Sequence, residues 1–198
     1  MAITARALLL CCLMATLPLT GCLTSEISPT EIILVENEQS TNPCLTASQS
    51  VTQTTALVLV NDEMREFRIS VPSSEAGTKL PLIIAFHGGG GAEEDFQQQD
   101  EFDQLGEQEK FIMVYAIAED GRTSAEGEWF LNTAATSYED NDFAEAIVDN
   151  LTSQYCIDQD RLYGIGYSLG SMYTYEVACK LNHRFAAVAS FSGTMPVD

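Results

Sequence analysis

Hydrophobic positions recur along this chain in three patterns. Residues 57–60 form a short apolar run, Asn61-Asp62 is a turn signal, and Phe67, Ile69 and Val71 then alternate with Arg68 and Ser70. That is the pattern of a half-buried strand, so an opening hairpin is predicted, ended by Pro72. Two stretches, Leu82-Ile83-Ile84-Ala85-Phe86 and Phe111-Ile112-Met113-Val114-Tyr115, are apolar throughout, as strands covered on both faces are. Residues 161–166 and 185–190 read as two further strands. Helical spacing fills the gaps. Residues 93–108 carry Phe96, Phe102 and Leu105 on an imperfect face. Phe143, Ile147, Val148, Leu151 and Tyr155 share one clear face, with Asp142 and Glu145 spaced as a capping box. Residues 168–180 place Met172, Tyr175 and Cys179 on one stripe. Strand and helix in alternation imply an α/β fold, a mainly parallel sheet with crossover helices. In such sheets ligands bind beyond the carboxyl ends of the strands.

Upstream of the hairpin the pattern is different. Arg6 is followed by a nearly continuous apolar run, residues 7–19, which is too short for the about 20 residues that span a bilayer. Leu19-Thr20-Gly21-Cys22 comes next and resembles the bacterial lipobox, in which the chain is cleaved before the Cys and its thiol takes a diacylglycerol. Residues 1–21 are therefore expected to be a lipoprotein signal peptide and Cys22 the lipidation site, which makes the mature protein anchored rather than spanning. Leu23 is not an acidic retention signal, which points to the outer membrane where the source has one. Residues 22–55 are rich in Ser, Thr, Glu, Asn and Gln and read as a polar tether. Residues 56–198 are left as the folded domain. No repeat is visible.

Acidic residues number 29 against 9 basic ones, a net charge of −20. Phosphate binding needs clustered Lys and Arg, so nucleic acid is excluded as a partner. The two His and the scattered acids have no metal-ligand spacing, and no Gly-rich loop carries the Lys-Ser/Thr of a phosphate cradle. No cofactor is expected. The exported setting permits disulfides among Cys44, Cys156 and Cys179.

Two motifs lie at the carboxyl ends of strands. Gly166-Tyr167-Ser168-Leu169-Gly170 is a G-x-S-x-G sequence between a predicted strand and a predicted helix. The chemistry requires that setting: a sharp, strained turn presents the serine hydroxyl, and the small residues Gly166 and Gly170 let strand and helix approach closely. Ser168 is the candidate nucleophile. His87-Gly88-Gly89-Gly90-Gly91 directly follows the strand of residues 82–86. Glycines there let backbone N–H groups face a cavity, and an acyl transfer needs such donors for the oxyanion of its transition state. The N–H of Leu169 and that of Gly88 or Gly89 are the candidate oxyanion donors. His87, Trp129, Phe130 and Tyr167 are candidate pocket residues. His87 is expected to shape the oxyanion loop, and Trp129 and Phe130 could equally cap the core.

The stretch of residues 81–196 resembles the polyhydroxybutyrate-depolymerase-like esterases, a family of the α/β-hydrolases that includes feruloyl and acetylxylan esterases. The resemblance rests on Pro81-Leu82-Ile83-Ile84-Ala85-Phe86-His87-Gly88, on Tyr155-Cys156-Ile157-Asp158 with Asp160-Arg161-Leu162-Tyr163, on the serine motif, on Ala178-Cys179, and on Arg184-Phe185-Ala186-Ala187-Val188-Ala189. It implies a secreted serine esterase acting on polyester or on ester-decorated polysaccharide. Members often carry Cys at both the Cys156 and Cys179 positions, which implies that these two pair and leaves Cys44 over. Two unlinked buried thiols are the alternative.

A serine nucleophile needs a base, and the base an orienting acid, in the chain order Ser, Asp or Glu, His. After Ser168 the only His is His183, beyond a helix that carries it about 20 Å from the hydroxyl. Asp198 ends the sequence. His87 as base would reverse the order. The fold is therefore expected to be incomplete at its C-terminus, and this chain by itself to be inactive. Two other readings stay open: a serine peptidase on the same sheet, and a lipid-anchored binding protein derived from a hydrolase.

Overall fold

The computed structural model describes residues 42–89, 100–118, 129, 131 and 139–195. The signal peptide, Cys22, the residues of the polar segment before Asn42, Gly90, Gly91, Phe96, Phe130 and Asp198 lie outside the described residues. All elements below belong to one compact unit, Thr41–Asp198.

The opening hairpin is β1 (Val51–Val60) and β2 (Glu63–Val71), paired antiparallel with Val60 opposite Glu63. Asn61 and Asp62 turn it with φ of 48° and 69°, the left-handed pair that a two-residue hairpin loop demands and that Asn and Asp tolerate. Then follow β3 (Leu80–Phe86), α1 (Asp100–Glu109), β4 (Ile112–Ala116), α2 (Glu139–Gln154), β5 (Ile157–Tyr167), α3 (Leu169–Lys180) and β6 (Ala187–Phe191). The six strands lie in the order β1-β2-β4-β3-β5-β6. β4, β3, β5 and β6 run parallel to one another, as expected from the crossover helices. β2 joins them antiparallel through β4.

Strand alternation sorts the core onto two faces. On one, Phe67, Ile69, Leu82, Ile84, Phe86, Ile112 and Val114 pack with Phe143, Ile147, Val148 and Leu151 of α2 and Tyr173 and Val177 of α3. On the other, Ala85, Met113 and Tyr115 pack with Phe111 and with Phe102 of α1. Arg65 and Asp140 form an ion pair at 2.7 Å with side chains 5% and 2% exposed, and the guanidinium lies 3.9 Å over the Phe143 ring.

Four expectations are corrected. Residues 51–55, read as tether, are the first half of β1. They lie at the sheet edge with mostly exposed side chains, so their polarity masks the strand. Asp142 and Glu145 do not cap α2, which already runs through Glu139; Asp142 instead accepts a hydrogen bond from the Asn61 amide at 2.9 Å and Glu145 pairs with His183. The face of α3 turned to the sheet is Ser171, Tyr173, Thr174 and Val177 rather than Met172, Tyr175 and Cys179. Small polar side chains are buried there because the helix starts hard against β3 and β5.

The fourth concerns the disulfide. Cys156 is bonded to Cys44, not to Cys179, which is a free and exposed thiol. Cys44 sits in a 3-10 turn, Pro43–Leu45, docked by the Gly77 N–H on the Cys44 carbonyl at 2.7 Å and by the Ser48–Ser74 bridge. That brings its Cα to 4.5 Å from that of Cys156 across a separation of 112 residues. Closing so long a loop restrains the unfolded chain strongly. Cys44→Ser or Cys156→Ser is expected to lower stability by about 4 kcal/mol, and Cys179→Ser to leave it unchanged. Urea unfolding of the three variants checks this.

Candidate active site

β3 and β5 are neighbours in the sheet, with Phe86 opposite Gly166. Their carboxyl ends therefore deliver the two motifs side by side. On leaving β5 the chain turns at Ser168 with φ 51° and ψ −114°. Few non-glycine residues adopt such backbone values, and strain of this kind persists only where the surroundings enforce it. Here they do. The Ser168 N–H donates to the Phe191 carbonyl of β6 at 2.9 Å, and its carbonyl accepts from Met172 N–H at 3.2 Å. The Ser168 side chain does not cap α3, although Ser168 occupies the capping position, so the hydroxyl is not spent on the helix.

The glycines of the motif are there for close approach. A Cβ on Gly166 would run into the Gly170 carbonyl, and a Cβ on Gly170 into the carbonyl oxygens of Phe86 and His87. Both obstacles are main chain and cannot swing aside. Gly170→Ala is accordingly expected to cost about 3 kcal/mol, the upper end for overpacking, read as a shift in the urea midpoint. A third glycine, Gly193, was not singled out in the sequence. A Cβ there would meet Ser171 Oγ at 2.5 Å and the Ser168 carbonyl at 2.7 Å. With Ser192 at φ 58°, it lets the chain after β6 fold over the serine turn. The signal was present as a Ser-Gly pair just past the last predicted strand.

The glycine loop lies against this turn. A Cβ on Gly88 would sit 3.3 Å from Tyr167 Cδ1 and 3.4 Å from Ser168 Cβ, and one on Gly89 3.0 Å from Leu169 Cδ2. The structure thus brings together Gly88, Gly89, Tyr167, Ser168 and Leu169. Leu169 is the first residue of α3, where backbone N–H groups have no acceptor within the helix. Tyr167 is 46% exposed and borders Gly88.

His87 and Trp129 are not pocket walls. His87 is 2% and Trp129 3% exposed. The Trp129 ring stacks on Tyr173 at 5.1 Å and meets Phe86 edge-on at 5.3 Å, and its indole N–H donates to the His87 carbonyl at 2.8 Å. The Ala118 N–H donates to His87 Nε2 at 3.0 Å, and His87 Nδ1 bonds the Gly88 carbonyl at 2.8 Å. With both ring nitrogens held in this way, His87 is not placed to take a proton from Ser168. His183 is on the surface past the end of α3, paired with Glu145 at 3.1 Å. Tyr173, fully buried, bonds Asn141 at 3.1 Å. Burial, with Asp140 nearby, holds its phenol well above the usual value. Among the described residues no group of three or more His, Cys, Asp or Glu is placed to hold a metal ion.

The family model described as esterase PHB depolymerase matches residues 66–197. A putative esterase, NocK, of Nocardia uniformis subsp. tsuyamanensis is 30% identical over 73% of this chain and 42% of its own length. The bifunctional acetylxylan esterase/xylanase XynS20E of Neocallimastix patriciarum is 27% identical over 65% of this chain and 18% of its own. The chain spans less than half the length of these relatives. Among solved structures, an acetyl xylan esterase from Aspergillus awamori superposes with a TM-score of 0.59 at 23% identity, covering 72% of this chain and 53% of that one. A ferulic acid esterase from Anaeromyces mucronatus, solved with ferulic acid, gives 0.56 at 16% identity over 74% and 60%. These likenesses establish the α/β-hydrolase fold. With the serine turn and the glycine loop meeting at the ends of β5 and β3, and the family match running from β2 to past β6, the chain belongs to the PHB depolymerase family of esterases.

Proposed function

We propose that this protein is a serine carboxylic-ester hydrolase whose nucleophile is Ser168. The observation that carries the reading is the strained Ser168 turn seated directly against Gly88 and Gly89. An ester carbonyl placed there lies within reach of the hydroxyl and beside the backbone N–H groups of Leu169 and of Gly88 or Gly89. Attack by Ser168 Oγ forms the C–O bond while a general base takes the hydroxyl proton. The carbonyl oxygen becomes an oxyanion, held by those N–H donors in a geometry that costs no reorganisation. Collapse expels the alcohol, which takes the proton back from the base, and leaves an acyl-enzyme. Water, deprotonated by the same base, then releases the acid.

The base is not one of the two His in the sequence. His87 is committed to its loop and His183 to Glu145. In this reading the chemistry takes its base and orienting acid from groups other than these two imidazoles. Residues 1–21 are, in the same reading, an export signal and Cys22 carries a lipid anchor, so that the enzyme acts outside the cytoplasm. There its substrate is a polyester or an ester-bearing polysaccharide. Acetylated xylan, feruloylated arabinoxylan, polyhydroxybutyrate and a peptide panel, offered to the intact protein, test the assignment. Release of acid from at least one ester polymer is the expected result. Cleavage confined to peptides would replace the esterase with a peptidase.

A further inference from the structure

We infer that Trp129 is a positioning residue for the oxyanion loop, an inference that rests on the serine-esterase reading and deepens it. The main chain of His87 and Gly88 is tied from behind at two successive carbonyls. The Trp129 indole N–H holds the His87 carbonyl at 2.8 Å. The Ala118 N–H donates to His87 Nε2 at 3.0 Å, which makes Nδ1 the protonated ring nitrogen and the donor to the Gly88 carbonyl at 2.8 Å. In a planar trans peptide the C=O and N–H point in opposite directions. Fixing the His87 carbonyl therefore fixes where the Gly88 N–H points, and fixing the Gly88 carbonyl does the same for the Gly89 N–H. The Gly88 N–H is thereby turned away from Trp129 and the Gly89 N–H away from the His87 ring, and it is on Tyr167, Ser168 and Leu169 that Gly88 and Gly89 abut.

The anchor is itself held from the nucleophile's own helix. Trp129 stacks on Tyr173 with an interplanar angle of 13°, and Tyr173 lies in α3, which begins just after Ser168. Its hydroxyl is in turn bonded to Asn141 of α2. The oxyanion donors and the nucleophile are thus mounted on one support. A packing role alone would be served by any large apolar ring. It is the N–H, aimed at a main-chain carbonyl of the loop, that makes Trp129 a positioning residue, and donors misplaced by a fraction of an ångström lose their effect on the transition state.

The test removes that N–H, once with the ring shape kept and once with a smaller ring. In the intact protein, position 129 is filled with benzothienylalanine, which puts sulfur in place of the indole N–H at nearly the same shape, and separately with Trp129→Phe. For a short-chain p-nitrophenyl ester, kcat is expected to fall about 10- to 100-fold in both, with KM within twofold and, for the isostere, a small fall in Tm from the His87 carbonyl left without its donor. A kcat within twofold of wild type in the isostere overturns the positioning role while leaving Ser168 in place. So does a loss that appears in KM with kcat unchanged. Wild-type turnover that survives Ser168→Ala overturns the esterase reading and this inference with it.

Discussion

Ser168→Ala in the intact protein is expected to lower kcat/KM for a p-nitrophenyl ester by roughly 10⁴-fold or more. The residual rate comes from binding and the oxyanion donors, which the substitution leaves standing. The fold is expected to be untouched, because the Ser168 backbone bonds to Phe191 and Met172 do not involve the hydroxyl. Ser168→Gly sharpens the point. Glycine tolerates a φ of 51° without the cost of about 1–3 kcal/mol that another residue bears there. The glycine variant is therefore expected to be inactive yet more stable than wild type by about 1 kcal/mol, measured by urea unfolding beside the activity assay. Strain that is relieved only by abolishing activity marks a residue kept for chemistry.

Asp140→Ala is expected to have the largest effect on stability. It removes one half of a buried ion pair and leaves the Arg65 guanidinium, 5% exposed, with the Phe143 ring and a long contact of 3.4 Å to the Ile117 carbonyl. Stranding a buried charge costs about 3–5 kcal/mol, a large part of the roughly 5–15 kcal/mol typical of a whole domain. Replacing both partners, Arg65→Met with Asp140→Leu, is expected to recover much of the loss, since no charge is then left buried. Urea midpoints for the single and double variants check both halves. The pair also bears on the site. Asp140 adjoins Asn141, which receives the Tyr173 hydroxyl, so a loosened start of α2 should be felt at the Trp129 support.

Much of this architecture was legible from hydrophobic periodicity because burial on a sheet imposes it. Phe67, Ile69 and Val71 alternate since β2 has one face on the core, and residues 82–86 and 112–115 are continuously apolar since β3 and β4 are covered on both sides. The α2 face was readable for the same reason. The two motifs were readable because each needs a fixed spacing around a strand end.

What was not legible depends on long-range contact. The first half of β1 is an edge whose side chains meet solvent, so composition alone cannot separate it from a tether. The Cys44–Cys156 bond joins residues 112 apart, and connectivity among three Cys does not follow from their spacing. The buried face of α3 contradicts its apolar stripe because Gly166 and Gly170 bring Ser171 and Thr174 into the sheet. Trp129 looked as much like a pocket wall as a core residue until its indole N–H was seen on the His87 carbonyl.

The most direct test of the central assignment is the covalent intermediate. The intact protein is reacted with a fluorophosphonate, or mixed with a slowly hydrolysed ester and quenched in acid, and its peptides are weighed. The expected result is one adduct per chain, on the peptide holding Gly166-Tyr167-Ser168-Leu169-Gly170 and absent after Ser168→Ala. Ester turnover with that peptide unmodified, or with the adduct on another residue, would contradict a Ser168 acyl-enzyme and with it the catalytic role assigned to this turn.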